Sequence, residues 1–400
     1  MKSALLLFFS FWIMSVSFAQ NDKHPEIRIS SDNALGSKTL LTEFFGKFYF
    51  GKYIDSTTKW DELNFLDTDN HLGFFSNNRI EVRLPSKKKY SFYIAGSHQS
   101  LFAIGFSKEL FQLVFTGNNS LVGQQVIADP ATMDKYNFST LSGGIVYKIN
   151  DDMKIHAAVG PVAMYSCAGF DFSGSDFFTS QAADSLALNL NGDYMRAGGP
   201  TFVKGVGFSS ELGIEGSNGG FEWSVSAANI GRVWLNKNTI NSHRDTLMYF
   251  TGVEVSDLSN FSAVVDQELE NFEQGFSLKG DTANSAISLP LLITGECSKE
   301  TGKLRTDLNV LYYNLPGFFP YMQLRPSWPI STGFRISLPM KYGGYSSFNA
   351  GLGLEFVLAD HFSVQLDFPS MLSVLNISRN LSYNVTGKII YKFTNHASLL

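Results

Sequence analysis

The sequence of 400 residues is short of charge and, beyond residue 20, contains no long apolar run. Charged residues make up 17% of the chain, against about 25% in typical soluble proteins. The absence of a second run of about 18 apolar residues excludes a helical membrane span after residue 20. A formal net charge of −5 gives no electrostatic basis for binding nucleic acid, so we expect none among the partners.

Cysteine and histidine are also scarce. Cys167 and Cys297 lie far apart, each in an apolar, strand-like stretch, so we interpret both as small apolar fillers rather than as a disulfide. The seven histidines show neither HxH nor HxxxH spacing. The segment 67–70, Asp-Thr-Asp-Asn, lacks the glycine and the final glutamate of a calcium loop, so we expect a plain turn. We therefore predict no metal site and no cofactor.

The sequence also lacks an arrangement typical of an active site. A lipase-type site requires a serine, a histidine and a polar orienting group close together. His98 and His156 fall in strand-like segments, but neither is near a Gly-x-Ser-x-Gly turn, and His243 lies in a polar segment typical of solvated surface. We assign no catalytic residues and expect no enzymatic activity.

What the sequence does contain begins with a secretory signal. Lys2 precedes an apolar stretch from Ala4 to Phe18, and Ser17-Phe18-Ala19 places small residues at positions −3 and −1 of a cleavage site. We predict a signal peptide over residues 1–19, cleaved between Ala19 and Gln20. The alternative is an uncleaved membrane anchor, for which the stretch is short.

Apolar and polar side chains alternate with a period of two in segment after segment of residues 20–393. The clearest hairpin joins Phe348–Leu358 to Phe362–Phe368 across a turn at 359–361. Further hairpins are predicted around residues 86–89, 150–152 and 217–220. The even-numbered residues of Phe348–Leu358 are apolar, so we expect them to face lipid.

Two architectures alternate in this way, a soluble β-sandwich and a membrane β-barrel. A sandwich would carry charge on its solvent face and have about seven to nine strands, whereas here the polar faces are mostly Gly, Ser, Thr and Asn over roughly twelve to fourteen segments. Phenylalanine (36) outnumbers lysine and arginine together (31), which fits a lipid-facing surface. We predict an all-β transmembrane fold, a single antiparallel outer-membrane β-barrel of about 14 strands with two short helices. The predicted location is the outer membrane of a Gram-negative bacterium.

The final segment, Leu381–Phe393, alternates throughout and ends on an aromatic residue. The barrel-insertion machinery generally reads such a strand, so we count this machinery and the outer-membrane lipid among the partners. Residues 394–400 form a short C-terminal tail. The predicted domains are therefore the signal peptide 1–19, the barrel 20–393 and the tail 394–400.

Two segments have helical spacing instead. One runs from Ser107 to Phe115 and is closed by Gly117, and the other covers 258–272 before Gly275. The first is strongly apolar, so it must be buried either in the bilayer interface or in the barrel mouth, lining a pocket for an apolar ligand. Its candidate lumen-helix residues are Leu110, Phe111, Leu113 and Val114.

Several stretches resemble an uncharacterised family of outer-membrane proteins from Bacteroidota, grouped with fatty-acid-transporter-like (FadL-like) barrels. They are Phe106–Leu113 followed by Gly117 and Gly123, the acidic helix leading into Ser288-Leu289-Pro290, and Lys341-Tyr342-Gly343-Gly344 followed by Gly351-Leu352-Gly353. The resemblance implies about fourteen strands and a partly occluded lumen. It supplies no catalytic residues.

Two functional hypotheses follow. The first is passive transport of a small hydrophobic molecule through the lumen. The second is a non-transporting structural, assembly or secretion-accessory barrel that binds a protein partner. An open path lined by Phe and Leu would favour transport, whereas a lumen plugged by side chains would favour the second hypothesis.

Overall fold

The computed structural model describes residues 25–84, 89–250, 281–283, 285–358, 361–375, 377 and 379–393. The predicted signal peptide, the predicted helix 258–272 and the tail 394–400 lie outside these residues. The strands, in chain order, are β1 (Glu26–Leu41), β2 (Asp69–Arg83), β3 (Tyr90–Ser107), β4 (Gln125–Ile127), β5 (Ala131–Lys148), β6 (Met153–Asp171), β7 (Asp176–Thr179), β8 (Leu186–Arg196), β9 (Gly205–Asn218), β10 (Phe221–Leu235), β11 (Thr239–Phe250), β12 (Asp281–Ala283), β13 (Ala286–Ser288), β14 (Leu292–Thr301), β15 (Leu304–Tyr313), β16 (Phe319–Ser331), β17 (Phe334–Ser337), β18 (Met340–Gly344), β19 (Ser346–Ala350), β20 (Leu352–Leu358), β21 (Phe362–Phe368) and β22 (Asn380–Lys392).

Fourteen of these strands form a closed antiparallel ring, as predicted. Each wall strand pairs with the next, and β22 pairs with β1 to close the wall, with Ser31 opposite Gly387. Closure leaves no free strand edge, which a membrane-spanning sheet requires. The order around the wall is β1, β2, β3, β5, β6, β9, β10, β14, β15, β16, β17, β20, β21 and β22.

The predicted hairpins are confirmed as β2–β3, β5–β6, β9–β10 and β20–β21. The predicted strand Phe348–Leu358 is divided at Gly351 into the end of β19 and all of β20. The division arises because β18 and β19 form a hairpin that leaves the line of the wall, as described below.

The two ends of the barrel differ. At the turn end, tight turns join β5 to β6, β9 to β10, β14 to β15 and β16 to β17, and both ends of the described chain lie there. At the loop end, the connections are long and carry the helices and the strands that lie outside the ring. Short turns face the periplasm in outer-membrane barrels, so the loop end corresponds to the extracellular side.

Side chains alternate between the two faces of the wall, because successive residues of a strand point in opposite directions. The outer face exposes large apolar residues all the way round, and the even-numbered residues of β20 are among them, as predicted. No helix of the described ranges is both long and apolar enough to span a bilayer. Examples of the outward-facing residues are Ile80, Ile94, Leu141, Val159, Leu212, Val225, Ile293, Leu324, Phe356 and Leu366. The chain is a transmembrane β-barrel of the outer-membrane type.

The helices of the described residues are α1 (Thr42–Tyr49), α2 (Ser56–Phe65), α3 (Lys108–Thr116) and the short α4 (Met371–Val374). The prediction of α3 is confirmed: the Ser107 hydroxyl accepts a hydrogen bond from the Leu110 N–H at 3.2 Å, and Gly117 ends the helix at φ +85°. α1 and α2 were not predicted from the sequence, although Asp55 caps α2 by accepting from the Thr58 N–H at 2.8 Å.

Candidate functional site

The half of the lumen nearest the turn end is filled by ion pairs. Arg79 on β2 contacts Glu81 and, across the lumen, Glu211 on β9, each at 2.7 Å. Arg83 contacts Glu81 at 2.6 Å, and His156 lies 3.5 Å from Glu211. These charges face the lumen because they alternate with outward apolar residues on the same strands.

A second ion-pair network fills the opposite side of this turn half. Arg325 on β16 is 1% exposed and lies 3.0 Å from Asp367, 3.1 Å from Asp307 and 3.3 Å from Glu355. One buried cation thus holds three carboxylates from β15, β20 and β21. A further pair, Lys388 on β22 with Glu296 on β14 at 3.7 Å, spans the space between the two sides.

Uncharged polar groups cross the lumen at mid-height. Gln99 on β3 and Asn229 on β10 exchange two hydrogen bonds of 3.2 and 3.0 Å between their amides. The Tyr313 hydroxyl donates to Gln99 at 3.3 Å, and Asn229 also donates to the Pro290 carbonyl at 2.9 Å. Strands far apart in the ring are therefore joined through the barrel axis.

The half nearest the loop end is filled by apolar and aromatic side chains. The ring of Phe75 on β2 lies 5.9 Å from that of Tyr313 on β15 and 6.1 Å from that of Tyr321 on β16, measured between centroids. β2 and β15 lie on opposite sides of the fourteen-strand ring, so these contacts close the lumen from wall to wall. The buried cluster also includes Leu101, Ala103, Phe138, Val162, Met164, Cys167, Val233, Leu235, Leu292 and Leu311.

Part of this apolar layer comes from loops rather than from the wall. Phe318 lies in the connection between β15 and β16, and its ring lies 5.2 Å from that of Tyr345, at the tip of the β18–β19 hairpin. The tip lies inside the barrel: a Cβ on Gly73 of β2 would fall 2.0 Å from the Tyr345 ring. Only glycine leaves room for this close approach. We call Phe318 and Tyr345 the loop plug.

The motif Lys341-Tyr342-Gly343-Gly344, which the resemblance singled out, forms β18 and leads into this tip. The Lys341 ammonium is buried, donates to the Ser346 hydroxyl at 3.1 Å and lies 5.8 Å from the centre of the Tyr321 ring. Tyr342 points to the outer face. The motif therefore helps to hold the tip of the hairpin inside the barrel.

The wall is not continuous β-structure beside this hairpin. β21 ends at Phe368, and α4 lies between β19 and β22. The Asn349 amide donates to the Ser373 hydroxyl at 2.6 Å, and Ser370 and Ser382 share a hydrogen bond of 3.0 Å. Side-chain contacts replace the backbone ladder along this seam.

The structure corrects the predicted position of the candidate lumen-helix residues. Phe111 packs in a cluster with Phe44 and with Leu35, Leu72 and Phe106, which point outward from β1, β2 and β3. α3 therefore lies against the outer face of the wall at the loop end, together with α1 and α2, and we call the three helices the outer cap. Leu110 and Leu113 pack in neighbouring clusters of the loop end, and Val114 is exposed. The physical reason is that the outer face of the wall offers the apolar surface that the helix needs.

The outer cap contains a buried carboxylate. Glu62 of α2 is fully buried and accepts hydrogen bonds from the Leu41 N–H at 3.1 and 3.3 Å. Burial raises its pKa to about 8, although the Leu41 N–H and the charge of Arg379 act in the opposite direction.

The other predicted residues are dispersed. Cys167 and Cys297 are both free, which confirms that they form no disulfide. His98 lies on the outer face and shares a hydrogen bond of 3.0 Å with Ser139. His243 contacts Asp193 at 3.0 Å at the exposed loop end. Asn70 bonds both the N–H and the carbonyl of Asp67, and the chain bends at Thr68 into β2, so Asp69 and Asn70 of the predicted turn belong to a strand. The structure does not bring these groups together.

A cavity of about 580 Å³ opens at the loop end, between the barrel mouth and strands β8 and β11. Its lining is mixed, with polar groups beside Phe170, Tyr194 and Met195. The cavity could not be predicted from the sequence, because β8 and β11 lie outside the wall and their placement depends on tertiary pairing. Its polar lining residues include Thr132, Asp134, Asp171, Asp193 and His243.

No family model and no curated protein matches the chain. Among solved structures it is similar to the toluene transporter TbuX of Ralstonia pickettii, with 8% identity, a TM-score of 0.43 and coverage of 94% of this chain and 90% of that one. It is also similar to a FadL homologue of Pseudomonas aeruginosa (9% identity, TM-score 0.40, coverage 93% and 91%). A third is the translocator domain of the autotransporter NalP from Neisseria meningitidis (6%, 0.35, 94% and 90%). The Bacteroidota family stays a prediction, and the assignment as a barrel rests on the strand pairing and faces of this chain.

Proposed function

We propose that the protein is a passive outer-membrane channel for small hydrophobic molecules, closed in the described state by an apolar layer of which the loop plug is the movable part. One observation carries the proposal: loops, and not only wall strands, supply part of the apolar layer that closes the lumen. Loop segments can move while the ring of strands stays closed, whereas wall residues cannot leave without breaking their ladders.

The chemistry of the two lumen halves favours an apolar solute. The loop half offers mainly apolar and aromatic surface, into which a hydrophobic molecule partitions favourably. A sugar or an ion would lose its hydrogen bonds to water there without replacement. The ion pairs of the turn half are unfavourable in turn for a hydrophobic molecule, which cannot replace their hydrogen bonds. We therefore expect such a molecule to leave sideways, along the seam where α4 replaces the backbone ladder.

The test is flux into protein-containing vesicles. Removing both rings of the loop plug, with Phe318→Ala and Tyr345→Ala, should raise the transfer of a small aromatic hydrocarbon several-fold. A sugar of similar size should remain excluded. The matched control is Phe111→Ala, which also removes a buried ring but from the outer cap, and it should leave the flux unchanged.

The filled lumen also supports the alternative, a non-transporting barrel that binds a protein partner. The aromatic layer and the ion-pair networks both reach from wall to wall. If neither the native protein nor the double alanine variant transfers hydrocarbon above protein-free vesicles, transport is abandoned and the alternative is kept.

A further inference from the structure

Polar side chains interrupt the apolar outer face on one side of the barrel. They lie on four neighbouring wall strands, β1, β2, β3 and β5. Six of them form what we call the polar wall patch: Ser31, Asn33, Ser76, Asn78, His98 and Ser139.

The strand pairing shows that the patch faces outward. Asn78 is paired with Ser31 on one side and with His98 on the other, and paired residues share a face. Two residues along from Asn78, on the same face, Ile80 is 49% exposed on the lipid side. Arg79, between them, points into the lumen. His98 is in turn paired with Ser139, which extends the row to β5.

On β2 and β3 the patch lies between apolar outward residues. On β3 the outward residues on the turn side of the patch include Phe92 and Ile94, and beyond Ser100 those on the loop side are Phe102 and Ile104. β2 repeats this order, with Ile80 and Val82 on one side and Leu72 and Phe74 on the other. On β5, Asn137 and Lys135 follow Ser139 on the loop side instead. On β2 and β3 the patch therefore lies at the depth of the hydrocarbon.

Four members of the patch form a closed ring of hydrogen bonds. The Ser31 hydroxyl donates to Asn78 at 2.7 Å, and Asn78 donates to Ser76 at 2.9 Å. Ser76 donates to Asn33 at 2.6 Å, and Asn33 donates back to Ser31 at 2.8 Å. Each asparagine amide has a second N–H, for which the described residues provide no partner. The ring therefore stabilises the patch in the single barrel and leaves donors for a partner.

The opposite side of the barrel shows which outward-facing residues are typical where the wall contacts lipid alone. At comparable height the outward residues of β15 and β16 are apolar throughout. They are Leu308, Val310, Met322 and Leu324. Lipid alone accounts for that wall, but it does not account for two amides, an imidazole and three hydroxyls on the other, because hydrocarbon offers them no hydrogen bonds.

We propose that the polar wall patch is an intramembrane interface between two copies of this chain. Serine and asparagine both donate and accept hydrogen bonds, so the patch is complementary to itself across a two-fold axis, where the same surface meets on both subunits. It carries no carboxylate, lysine or arginine that would be repelled by its copy. Polar side chains of this kind hold membrane segments together by hydrogen bonds across their interface. The proposal is independent of transport through the lumen.

Disulfide trapping in isolated outer membranes tests the interface. In a background with Cys167→Ala and Cys297→Ser, single cysteines at Gly96 and at Ser100 place a thiol beside the patch on the outer face of β3. The matched control is Gly295→Cys, a lipid-facing glycine of β14; like Gly96, it has only ordinary contacts around an added Cβ. Mild oxidation with copper phenanthroline should yield a product of twice the chain mass from at least one β3 variant and none from the control.

A second set of variants removes the polar groups and keeps the cysteine reporters. Asn33→Leu with Asn78→Leu should abolish the trapped dimer, while the change in gel mobility on boiling shows that the barrel still forms. The proposal is overturned by any of four results: no dimer from either β3 reporter, equal dimer from the Gly295 control, a dimer that survives the leucine substitutions, or trapping to a chain of different mass.

Discussion

The two halves of the lumen are filled by opposite means. The turn half uses charges that depend on one another, with Arg325 alone serving three carboxylates. The loop half uses apolar contacts spread over many residues around Phe75 and Tyr313. The two halves of the same barrel should therefore differ in how well they tolerate substitutions of lumen residues. Losing one cation leaves several charges buried, whereas losing one apolar group removes only its own contacts.

The largest effect is expected from Arg325→Met, which keeps the volume but removes the charge. Glu355 and Asp367 then remain buried without a cation and Asp307 keeps only Arg305, which should cost about 3–5 kcal/mol of unfolding free energy. Urea unfolding in detergent measures it. The control is Lys154→Met, whose partly exposed pair with Glu215 should contribute at most about 1 kcal/mol. Equal losses in both variants would contradict the dependence of the turn half on a central cation.

The second comparison uses two adjacent residues on opposite faces of β20. Leu354→Arg on the lipid side should cost about 2–4 kcal/mol near mid-bilayer. The sequence suggested that Gly353→Ser, on the lumen side, would be tolerated, but the structure revises this. A Cβ there would fall 1.9 Å from the Asp367 carboxylate and 2.1 Å from the Ser337 hydroxyl. Overpacking of this kind should cost about 1–3 kcal/mol. The unfolding free energies of the two variants, measured side by side, test this comparison. An unchanged value for Gly353→Ser would mean that Asp367 and Ser337 can move to accommodate the added side chain.

A smaller effect is expected in the loop half. Leu101→Met conserves volume and polarity in the apolar layer and should cost less than about 1.5 kcal/mol. The same urea titration used for Arg325→Met gives the comparison directly. A loss as large as that of Arg325→Met would show that the loop half depends on exact shape as strongly as the turn half depends on charge.

The smallest effect is local and concerns Glu62, a buried carboxylate to which the described part of the chain offers no ion-pair partner. Its folded pKa of about 8 lies above the ordinary value, so the folded cap binds the proton more tightly than the unfolded cap. The resulting stability is present at low pH and is lost as the pH rises, over about pH 5 to 9. Amide hydrogen exchange of α2 should therefore accelerate over this range beyond its intrinsic pH dependence. Glu62→Gln, which keeps an acceptor for the Leu41 N–H, should remove the excess, and an unchanged profile would contradict it.

The wall was predictable from the sequence because the two-residue period records which face each side chain occupies. The hairpin of β9 and β10 and the last strand, β22, follow directly from it. The contents of the lumen were not predictable in the same way. The sequence pattern does not distinguish the inward-facing Phe75 from other apolar residues. Its partners Tyr313 and Phe318 are more than two hundred residues away.

The position of the outer cap was even less predictable from the sequence. The spacing of Leu110, Phe111 and Leu113 predicts an apolar helix face, but it does not say which apolar surface receives that face. Leu72 and Phe106 face outward whether lipid or a helix covers them, so the local pattern is the same in both cases. α1 was missed although Phe44, Phe45, Phe48 and Tyr49 have helical spacing.

The pairing of β22 with β1 also sets an order of events during biogenesis. Glu26 lies opposite Lys392, and the Phe393 N–H donates to the Pro25 carbonyl at 3.0 Å, so the wall is sealed by its first and last residues. A nascent chain that lacks β22 cannot close the wall, because the entropy of joining the ends is recovered only when this strand arrives. A ribosome that stops before β22 therefore releases a sheet with two unpaired edges. A folding catalyst or a degrading enzyme can thus distinguish a closed barrel from an incomplete one by its unpaired backbone edges alone.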